Sequence, residues 1–322
     1  MNKDTLIKFY NKYGTAAIMF VLLIVCTFLS PVFLSQANVV NLLSQIAVVT
    51  ILTCGITLLI IAGQTDLSGG AIVALTGCVC VGTFKNLFEG GMSEVPAGIL
   101  AMLAAIIVGV LINALSGIII TQFNAPAFIV TLAMMKAGRG ICYLYTNGTP
   151  IYNIGSISKL GQGRIKGIIP YSVVIMVICI IITWFVLNRM RLGRHIYAVG
   201  GNQEAARASG ISPQWTIIKT YLIHGVFVGI AGALFMTRLN SGQPAEAEGL
   251  EFDAITAAVI GGASLAGGQG SIYGSIIGSI IIGVIKNILT LKSVQSYYQM
   301  IITGLIIMVA VILDILTKGK KE

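Results

Sequence analysis

Long apolar runs separated by short polar segments extend along almost the whole chain. A membrane-spanning helix needs about 20 mostly apolar residues, and this length predicts ten candidate spans. They lie near residues 14–34, 39–61, 67–84, 96–120, 126–145, 168–187, 216–239, 253–265, 270–290 and 297–316. The eighth is too short to cross a bilayer as a straight helix, so we predict a broken or re-entrant element there, buried in protein. The pattern therefore predicts an all-α, polytopic transmembrane helix bundle, with residues 1–322 in a single domain.

The composition supports a membrane location. Of the 322 residues, 56% are hydrophobic and only 10% are charged, whereas a soluble domain carries about 25% charged residues. A surface with so little charge is expected to contact lipid. The net charge of +9 does not indicate nucleic-acid binding, because the basic residues lie at the ends of apolar runs rather than in a stripe interleaved with aromatic residues.

Several kinds of chemistry lack their usual motifs in this sequence. The cysteines lie in or near apolar runs without a CxxC spacing, so we predict small core residues and neither a disulfide nor a metal site. No GxxxxGK[ST], HExxH or GxSxG motif occurs, so we expect no catalytic residue and no cofactor on this chain. The first apolar run is not followed by a small-x-small cleavage site, and we interpret it as an uncleaved span.

Basic residues cluster in three places that are separated by an even number of predicted spans. The clusters are Lys3, Lys8 and Lys12; Arg189, Arg191, Arg194 and Arg207; and Lys318, Lys320 and Lys321. Because basic residues favour the cytoplasmic side, we predict a bacterial cell-membrane protein with both termini in the cytoplasm. The acidic loop with Glu246, Glu248 and Glu251 would then lie outside. A loop with Lys159, Arg164 and Lys166 would also lie outside, as an exception to the rule.

The longest interior polar segment, residues 188–215, encodes a short helix on the predicted cytoplasmic side. Gly200 and Gly201 predict a flexible break before it. Asn202 is a good N-cap, since its side chain can accept hydrogen bonds from free backbone N–H groups. The residues that follow, 203–209, favour a helix.

The composition of this short helix predicts where it ends and what it does. Glu204 lies in its first turn, as the helix dipole prefers. Gly210 suits the left-handed position after the last turn, and Pro213 prevents continuation. Ala205 and Ala206 would give it a small, flat, exposed face. Such a face is suited to docking into a groove on a partner protein.

Ionisable groups inside a membrane cost about 2.5–3.5 kcal/mol each and are usually paired or functional. Asp66, Lys136, Arg139 and Asp253 are the candidates, and we hypothesise that Arg139 pairs with Asp66 or Asp253 to hold a broken helix in place. The residues predicted for this pair or for a translocation pathway are Asp66, Ser68, Arg139, Asp253, Asn240 and Tyr273. Other polar or aromatic residues that could line a polar path through the membrane are Tyr143, Tyr145, Asn147, Asn287 and Gln299. His195 and His224 are assigned no role.

Glycines separated by three residues let helix backbones approach closely in lipid. Gly225 with Gly229, and Gly274 with Gly278, have this spacing. Packing within one subunit and a contact between two subunits are both compatible with the pattern.

Four ordered blocks of sequence resemble one known family. They are GQTDLSGGAIVALTG at 63–77, FIVTLAMMKAGRG at 128–140, GRHIYAVGGNQEAARASGI at 193–211 and EFDAITAAVIGGASLAGGQGSIYGSIIG at 251–278. On these motifs the chain resembles the ribose-type permeases of sugar ABC transporters. Gln64, Thr65, Gly69 and Lys136 depart from the family pattern.

The resemblance implies the ABC importer permease fold and a set of partners. Two permease copies, identical or closely paralogous, would form the membrane core. A separate ABC ATPase would hold ATP and Mg²⁺, and an extracytoplasmic binding protein would deliver a monosaccharide, either a ribose-like pentose or a hexose. The short helix would be the coupling helix that contacts the ATPase. The residues implied for coupling are Arg194, Ala198, Gly200, Gly201, Asn202, Glu204, Ala205, Ala206 and Gly210.

Other transport functions remain open at this stage. A related ABC permease for a branched-chain amino acid, a nucleoside or a furanose signal molecule would share the fold. An ion-coupled secondary transporter would need acidic residues or histidines deep in the spans, and these are few. It would also have no use for the short helix at 203–209.

Overall fold

Helices form nearly all of the regular structure in this computed structural model, which describes residues 3–318. In chain order they are α1 (Lys3–Leu29), α2 (Gln36–Ile61), α3 (Gly69–Glu89), α4 (Glu94–Phe123), α5 (Ala127–Thr146), α6 (Ser158–Gln162), α7 (Tyr171–Arg189), α8 (Arg191–Gly201), α9 (Gln203–Ala208), α10 (Pro213–Leu239), α11 (Leu250–Ile260), α12 (Ile272–Leu291) and α13 (Ser296–Lys318). A 3₁₀ turn (Gly155–Ile157) precedes α6, and two short antiparallel strands, β1 (Arg164–Ile165) and β2 (Ile169–Pro170), lie before α7. The predicted all-α class is confirmed.

Every predicted span has a helix at its position. Within residues 3–318, seven helices are long and apolar enough to cross a bilayer, namely α2, α3, α4, α5, α7, α10 and α12, and shorter apolar stretches lie in α1 and α13. The eighth span corresponds to α11, which has 11 residues and is therefore about 16 Å long. It ends at Ile260, short of the predicted end, because Gly262 adopts the left-handed φ of 93°. An element too short to cross alone is thus confirmed.

The two most central helices are α2 and α10. α2 is buried along most of its length and packs against α7, α10, α11 and α12, while α10 also packs along α3 and α4. The six cysteines are all buried, which confirms their prediction as small core residues. The bundle buries most of the α2–α3 turn, whereas the segment after α11 is exposed at Gly262, Ala266 and Gln269.

Both glycine pairs pack helices inside this one subunit. A methyl group on Gly229 would lie 2.6 Å from Cα of Ile106, so α10 and α4 touch backbone to backbone there. A methyl group on Gly278 would collide with the backbone of α11, and one on Gly274 would collide with the backbone of Gly261, the residue after α11. Of the two interpretations left open by the sequence, the structure therefore shows packing within the subunit.

Exposed apolar side chains cover the outward faces of α4 and α7. On α4 these include Ile99, Leu103, Ile107 and Leu111, and on α7 they include Val177, Ile178, Ile181 and Phe185. Faces that present only such side chains are suited to direct contact with lipid.

Candidate functional site

The polar segment 188–215 forms two helices instead of one. Asn202 caps α9 as predicted, because its Oδ1 accepts a hydrogen bond from the Ala205 backbone N–H at 2.9 Å. Gly210 follows α9 with a left-handed φ of 78°, which confirms the predicted stop. The flexible break predicted at Gly200 and Gly201 is wrong, since α8 continues through both glycines.

The predicted two-alanine face on α9 is also wrong. Ala206 is only 4% exposed and packs with Val199, Ile217 and Tyr221, whereas Ala205 is exposed. Consecutive residues on an α-helix point about 100° apart, so both alanines cannot lie on one outward face. α9 is therefore anchored through Ala206 and exposes Ala205.

The charged residues on these helices lie at the surface. Glu204 pairs with Arg207 of its own helix at 3.2 Å, and such an exposed pair is worth about 0–1 kcal/mol. Arg194 is exposed on α8, while Ala198 is half-buried. Contact of Arg194 or Glu204 with a partner stays a prediction.

Two breaks between helices, the α2–α3 turn at 62–68 and the glycine-rich segment at 261–271 after α11, both meet α8. We call their meeting point the glycine junction; it is formed by Ile61, Gly63, Gly200, Gly267 and Gly268. The Gly268 N–H donates to the Ile61 carbonyl oxygen at 2.8 Å. A methyl group on Gly200 would collide with that carbonyl and lie 2.7 Å from the Gly268 nitrogen. A methyl group on Gly267 would lie 3.0 Å from Cα of Gly63. Glycine is required here because three backbone segments touch one another.

A buried acid lies in the break between α2 and α3. Asp66 Oδ1 accepts hydrogen bonds from the Ser68 backbone N–H at 2.7 Å and from the Ser68 hydroxyl at 2.6 Å. Its Oδ2 lies 2.9 Å from Nε2 of His224 on α10, and both side chains are fully buried. The hydroxyl of Tyr221, one turn earlier on α10, donates to the Thr65 carbonyl at 3.1 Å. These bonds fix the break to α10.

Sequence reasoning assigned His224 no role and so missed its contact with Asp66. Thr216, Thr220 and His224 recur every four residues and are all buried, so they form one polar stripe on α10. That spacing was the available signal that the histidine faces another polar group.

The hypothesis that Arg139 pairs with Asp66 or Asp253 is wrong. The Arg139 guanidinium donates to the backbone carbonyls of Pro244 and Glu246, and the buried Asp253 pairs with Lys286 of α12. Both arrangements follow from the rotation of the helices about their axes, which the sequence does not specify.

The remaining predicted pathway residues lie elsewhere. Asn240 is the exposed, left-handed C-cap of α10, and Tyr273, in the first turn of α12, is 61% exposed. In the described part of the chain, no hydrogen bond joins either residue to Asp66 or Arg139.

Glu251, which the sequence analysis placed in the acidic loop on the outside of the membrane, belongs to the first turn of α11 and is buried. It is 3% exposed, and its carboxylate lies against Gly70 in the first turn of α3. This contact places the start of α11 directly beside the start of α3.

A polar cleft of about 330 Å³ lies beside α9, between the α2–α3 break, the α4–α5 turn and the start of α10. Its polar lining consists of Gln64, Thr121, Asn124, Gln203, Arg207 and Gln214. The cleft links the exposed side of α9 to the break that holds Asp66.

Reversing both charges of the Asp253–Lys286 pair should recover folded protein that reversing either charge alone would lose. Asp253→Lys alone places a cation beside Lys286 and should lower the yield of folded protein, because a buried unpaired charge is strongly destabilising. The double variant with Lys286→Asp should recover part of that yield in size-exclusion profiles of detergent extracts. Pairing Arg139→Asp with Asp253→Arg should give no recovery, and recovery there would contradict the observed contacts.

Comparison with known proteins agrees with this architecture. Residues 38–311 match the family described as branched-chain amino acid transport system / permease component. The chain is 41% identical over 301 residues to the ribose import permease protein RbsC of Escherichia coli (strain K12), covering 92% of this chain and 91% of that protein. No solved structure matches the chain.

Two further relatives are permeases for other sugars. The chain is 36% identical over 308 residues to the D-allose transport system permease protein AlsC of Escherichia coli (strain K12), covering 95% of this chain and 92% of that protein. It is 33% identical over 334 residues to the galactose/methyl galactoside import permease protein MglC of Salmonella typhimurium, covering 100% of this chain and 99% of that protein. The resemblance to ribose-type permeases is confirmed. Because the family match spans most of the sequence, the chain belongs to the branched-chain amino acid transport system / permease component family.

Proposed function

We propose that this chain is the membrane-spanning permease subunit of an ATP-binding-cassette importer for a monosaccharide, a ribose-like pentose or a hexose. The proposal is supported by relatives named as permeases for ribose, D-allose and galactose, each matched over nearly its full length. An extracytoplasmic binding protein delivers the sugar, and a second permease copy completes the core. The protein resides in a bacterial cell membrane with both termini in the cytoplasm.

The observation that carries the proposal is the backbone contact between α8 and both breaks at the glycine junction. α9 exposes Ala205 and Glu204, and the α8–α9 pair touches Ile61 and Gly268 through Gly200. A displacement of α9 by a docked ATPase would thus reach the broken elements directly. ATP and Mg²⁺ belong to that separate ATPase, whose closure selects one of two conformations of the permease.

The test is to separate ATP from ion gradients in proteoliposomes that hold the complete transporter. Uptake of a radiolabelled pentose or hexose should stop when ATP is removed and an imposed proton or sodium gradient is kept. Uptake that persists on the gradient alone would establish the ion-coupled alternative, for which the buried Asp66–His224 pair is the supporting observation. Competition by a nucleoside or a furanose signal molecule, with no effect of aldoses, would establish those ligands instead.

Enlarging Ala205 should weaken ATPase binding, and with it transport, without lowering the folded yield. Ala205→Trp adds a bulky side chain to the exposed side of α9, so we expect normal folded yield, at least tenfold lower ATP-driven uptake, and loss of ATPase co-purification. Ala206→Trp is the comparison, because its buried site should lower the folded yield itself. Normal uptake and normal ATPase binding by Ala205→Trp would contradict docking on this face.

A further inference from the structure

Lys136 occupies the middle of a membrane-spanning helix. α5 has 20 residues and is about 30 Å long, close to the hydrocarbon thickness of a bilayer. Lys136 is its tenth residue and is exposed on the subunit. Among residues 3–318, none of the ion pairs includes Lys136.

Direct contact of Lys136 with lipid is unfavourable. A lysine ammonium at the bilayer centre is among the costliest groups to insert. From the centre the headgroups are about 15 Å away, farther than a lysine side chain reaches by snorkelling. The outward faces of α4 and α7 present aliphatic residues such as Leu111 and Ile181 instead. Leu132 and Ile129, one and two turns before Lys136 on α5, are exposed and aliphatic, so the surface changes at Lys136. From there to the end of α5 we expect the face to meet water or protein.

Lys136 begins a row of exposed residues that we call the α5 stripe, formed by Lys136, Gly140, Tyr143 and Asn147. All four are exposed, and their spacings of four, three and four place them on one side of the helix. Among the described residues, nothing lies within 4 Å of a methyl group placed on Gly140, so the stripe has open space at its centre. A phenol and an amide are groups that orient sugars by planar hydrogen bonding and stacking.

A second positive charge lies one turn from Lys136. Arg139 is held by two backbone carbonyls, and in the part of the chain that the structure describes no ion pair neutralises its charge. α5 contains no acidic residue. The helix therefore presents two cations without a carboxylate of its own, and Coulomb interactions are strengthened away from bulk water.

We propose that the α5 stripe lines the translocation pathway and that Lys136 makes the pathway selective for a monosaccharide bearing a negative charge, as a carboxylate or a phosphate. This inference rests on the proposed importer function and names its substrate class. A neutral sugar gains only hydrogen bonds from the ammonium, whereas an anionic sugar also neutralises a charge that the subunit leaves without a partner. The open site at Gly140 leaves room for the ring between Lys136 and Tyr143.

The first test asks whether the stripe meets water. Lys136→Cys, in the assembled transporter in membranes, should react at least tenfold faster with a charged, membrane-impermeant methanethiosulfonate reagent than Leu111→Cys, whose site on α4 is 63% exposed and aliphatic. The native cysteines are buried, which keeps the background low. Equally slow labelling of the two variants would overturn the proposal.

The second test measures charge selectivity in the reconstituted transporter with its ATPase and binding protein. The probes are D-ribose, D-ribonate and D-ribose 5-phosphate, together with the corresponding neutral, carboxylate and phosphate forms of galactose. Comparing the two anions of each sugar distinguishes a preference for a carboxylate from a preference for a phosphate. Because the binding protein is the same in every arm, a changed ratio of charged to neutral uptake reports the permease. Lys136→Gln should lower the ratio of charged to neutral uptake at least tenfold, whereas Lys136→Arg should retain it. Lys219→Gln, at an exposed lysine on α10, is the control and should leave the ratio unchanged.

The outcomes separate this inference from the function on which it rests. Uptake confined to neutral sugars, or an unchanged ratio in Lys136→Gln, overturns the inference and leaves a neutral-sugar importer. Absence of ATP-dependent uptake for every sugar, neutral and charged, overturns the proposed function and the inference with it. If Lys136→Gln fails to fold, retention of the ratio by Lys136→Arg together with fast labelling of Lys136→Cys supports the proposal, and slow labelling overturns it.

Discussion

A single methyl group at Gly200 is expected to stop transport. The same change at the adjacent Gly201 is expected to be harmless, although the family resemblance implied a coupling role for both glycines, because Gly201 has open space around it. In Gly200→Ala the new methyl group would collide with the Ile61 carbonyl oxygen and crowd the Gly268 nitrogen. Backbone atoms of two other segments would have to move, and the Ile61–Gly268 hydrogen bond of 2.8 Å would be lost. We expect ATP-driven uptake to fall at least a hundredfold, with a lower unfolding temperature.

Gly201→Ala is a closely matched control. It lies in the last turn of the same helix, and within the described structure nothing comes within 4 Å of a methyl group placed there. Alanine favours helix over glycine by about 1 kcal/mol, so this variant should be as stable as the wild type or more so. Equal uptake by the two variants would show that the glycine junction does not carry motion from α8 to the breaks.

Removal of the His224 imidazole is expected to destabilise the folded permease by about 1–3 kcal/mol, the cost of leaving a buried polar group without one of its hydrogen-bond partners. In His224→Leu the carboxylate of Asp66 stays buried and keeps only its two bonds to Ser68. The measurement is the unfolding free energy of the purified protein in mixed micelles titrated with denaturant.

The double variant Asp66→Asn with His224→Leu shows whether charge is the cause. The asparagine amide can still accept the Ser68 hydrogen bonds but carries no charge, so the double variant should be more stable than His224→Leu alone. A double variant that is less stable than the single one would assign the effect to packing against α2, where Gly55 lies directly beside the His224 ring.

Features encoded by neighbouring residues could be read from the sequence, and features that join distant segments could not. Asn202 caps α9 and Gly210 ends it because each acts within a few residues of its own position. The partners Asp66 and His224 are separated by 158 residues, and their pairing depends on how α10 is rotated against the α2–α3 break. The lengths of the apolar runs predict where helices lie, but they determine neither the rotation of α10 nor the pairing of Asp253 with Lys286.

The two errors on α8 and α9 have a common origin in tertiary packing. Two adjacent glycines favour a flexible break when considered alone, yet Gly200 is where α8 touches two other backbones. Ala206 and Ala205 are chemically identical, and only the position of α9 against Tyr221 decides which one is buried. Helix propensity describes a residue in isolation, whereas tertiary contacts decide the structural role of Gly200 and Ala206.

The length of α4 sets a requirement on the surrounding bilayer. Its 30 residues span about 45 Å, well beyond a hydrocarbon layer of about 30 Å, and its partner α10 is nearly as long at 27 residues. α10 has Lys219 and Arg238 near its ends, whereas α4 has no charged residue over positions 95–120. It is therefore α4 that has to tilt or to thicken the lipid around it, at a modest energy per ångström of hydrophobic mismatch. Liposomes made from lipids with long acyl chains should therefore support a higher turnover than those made from short-chain lipids.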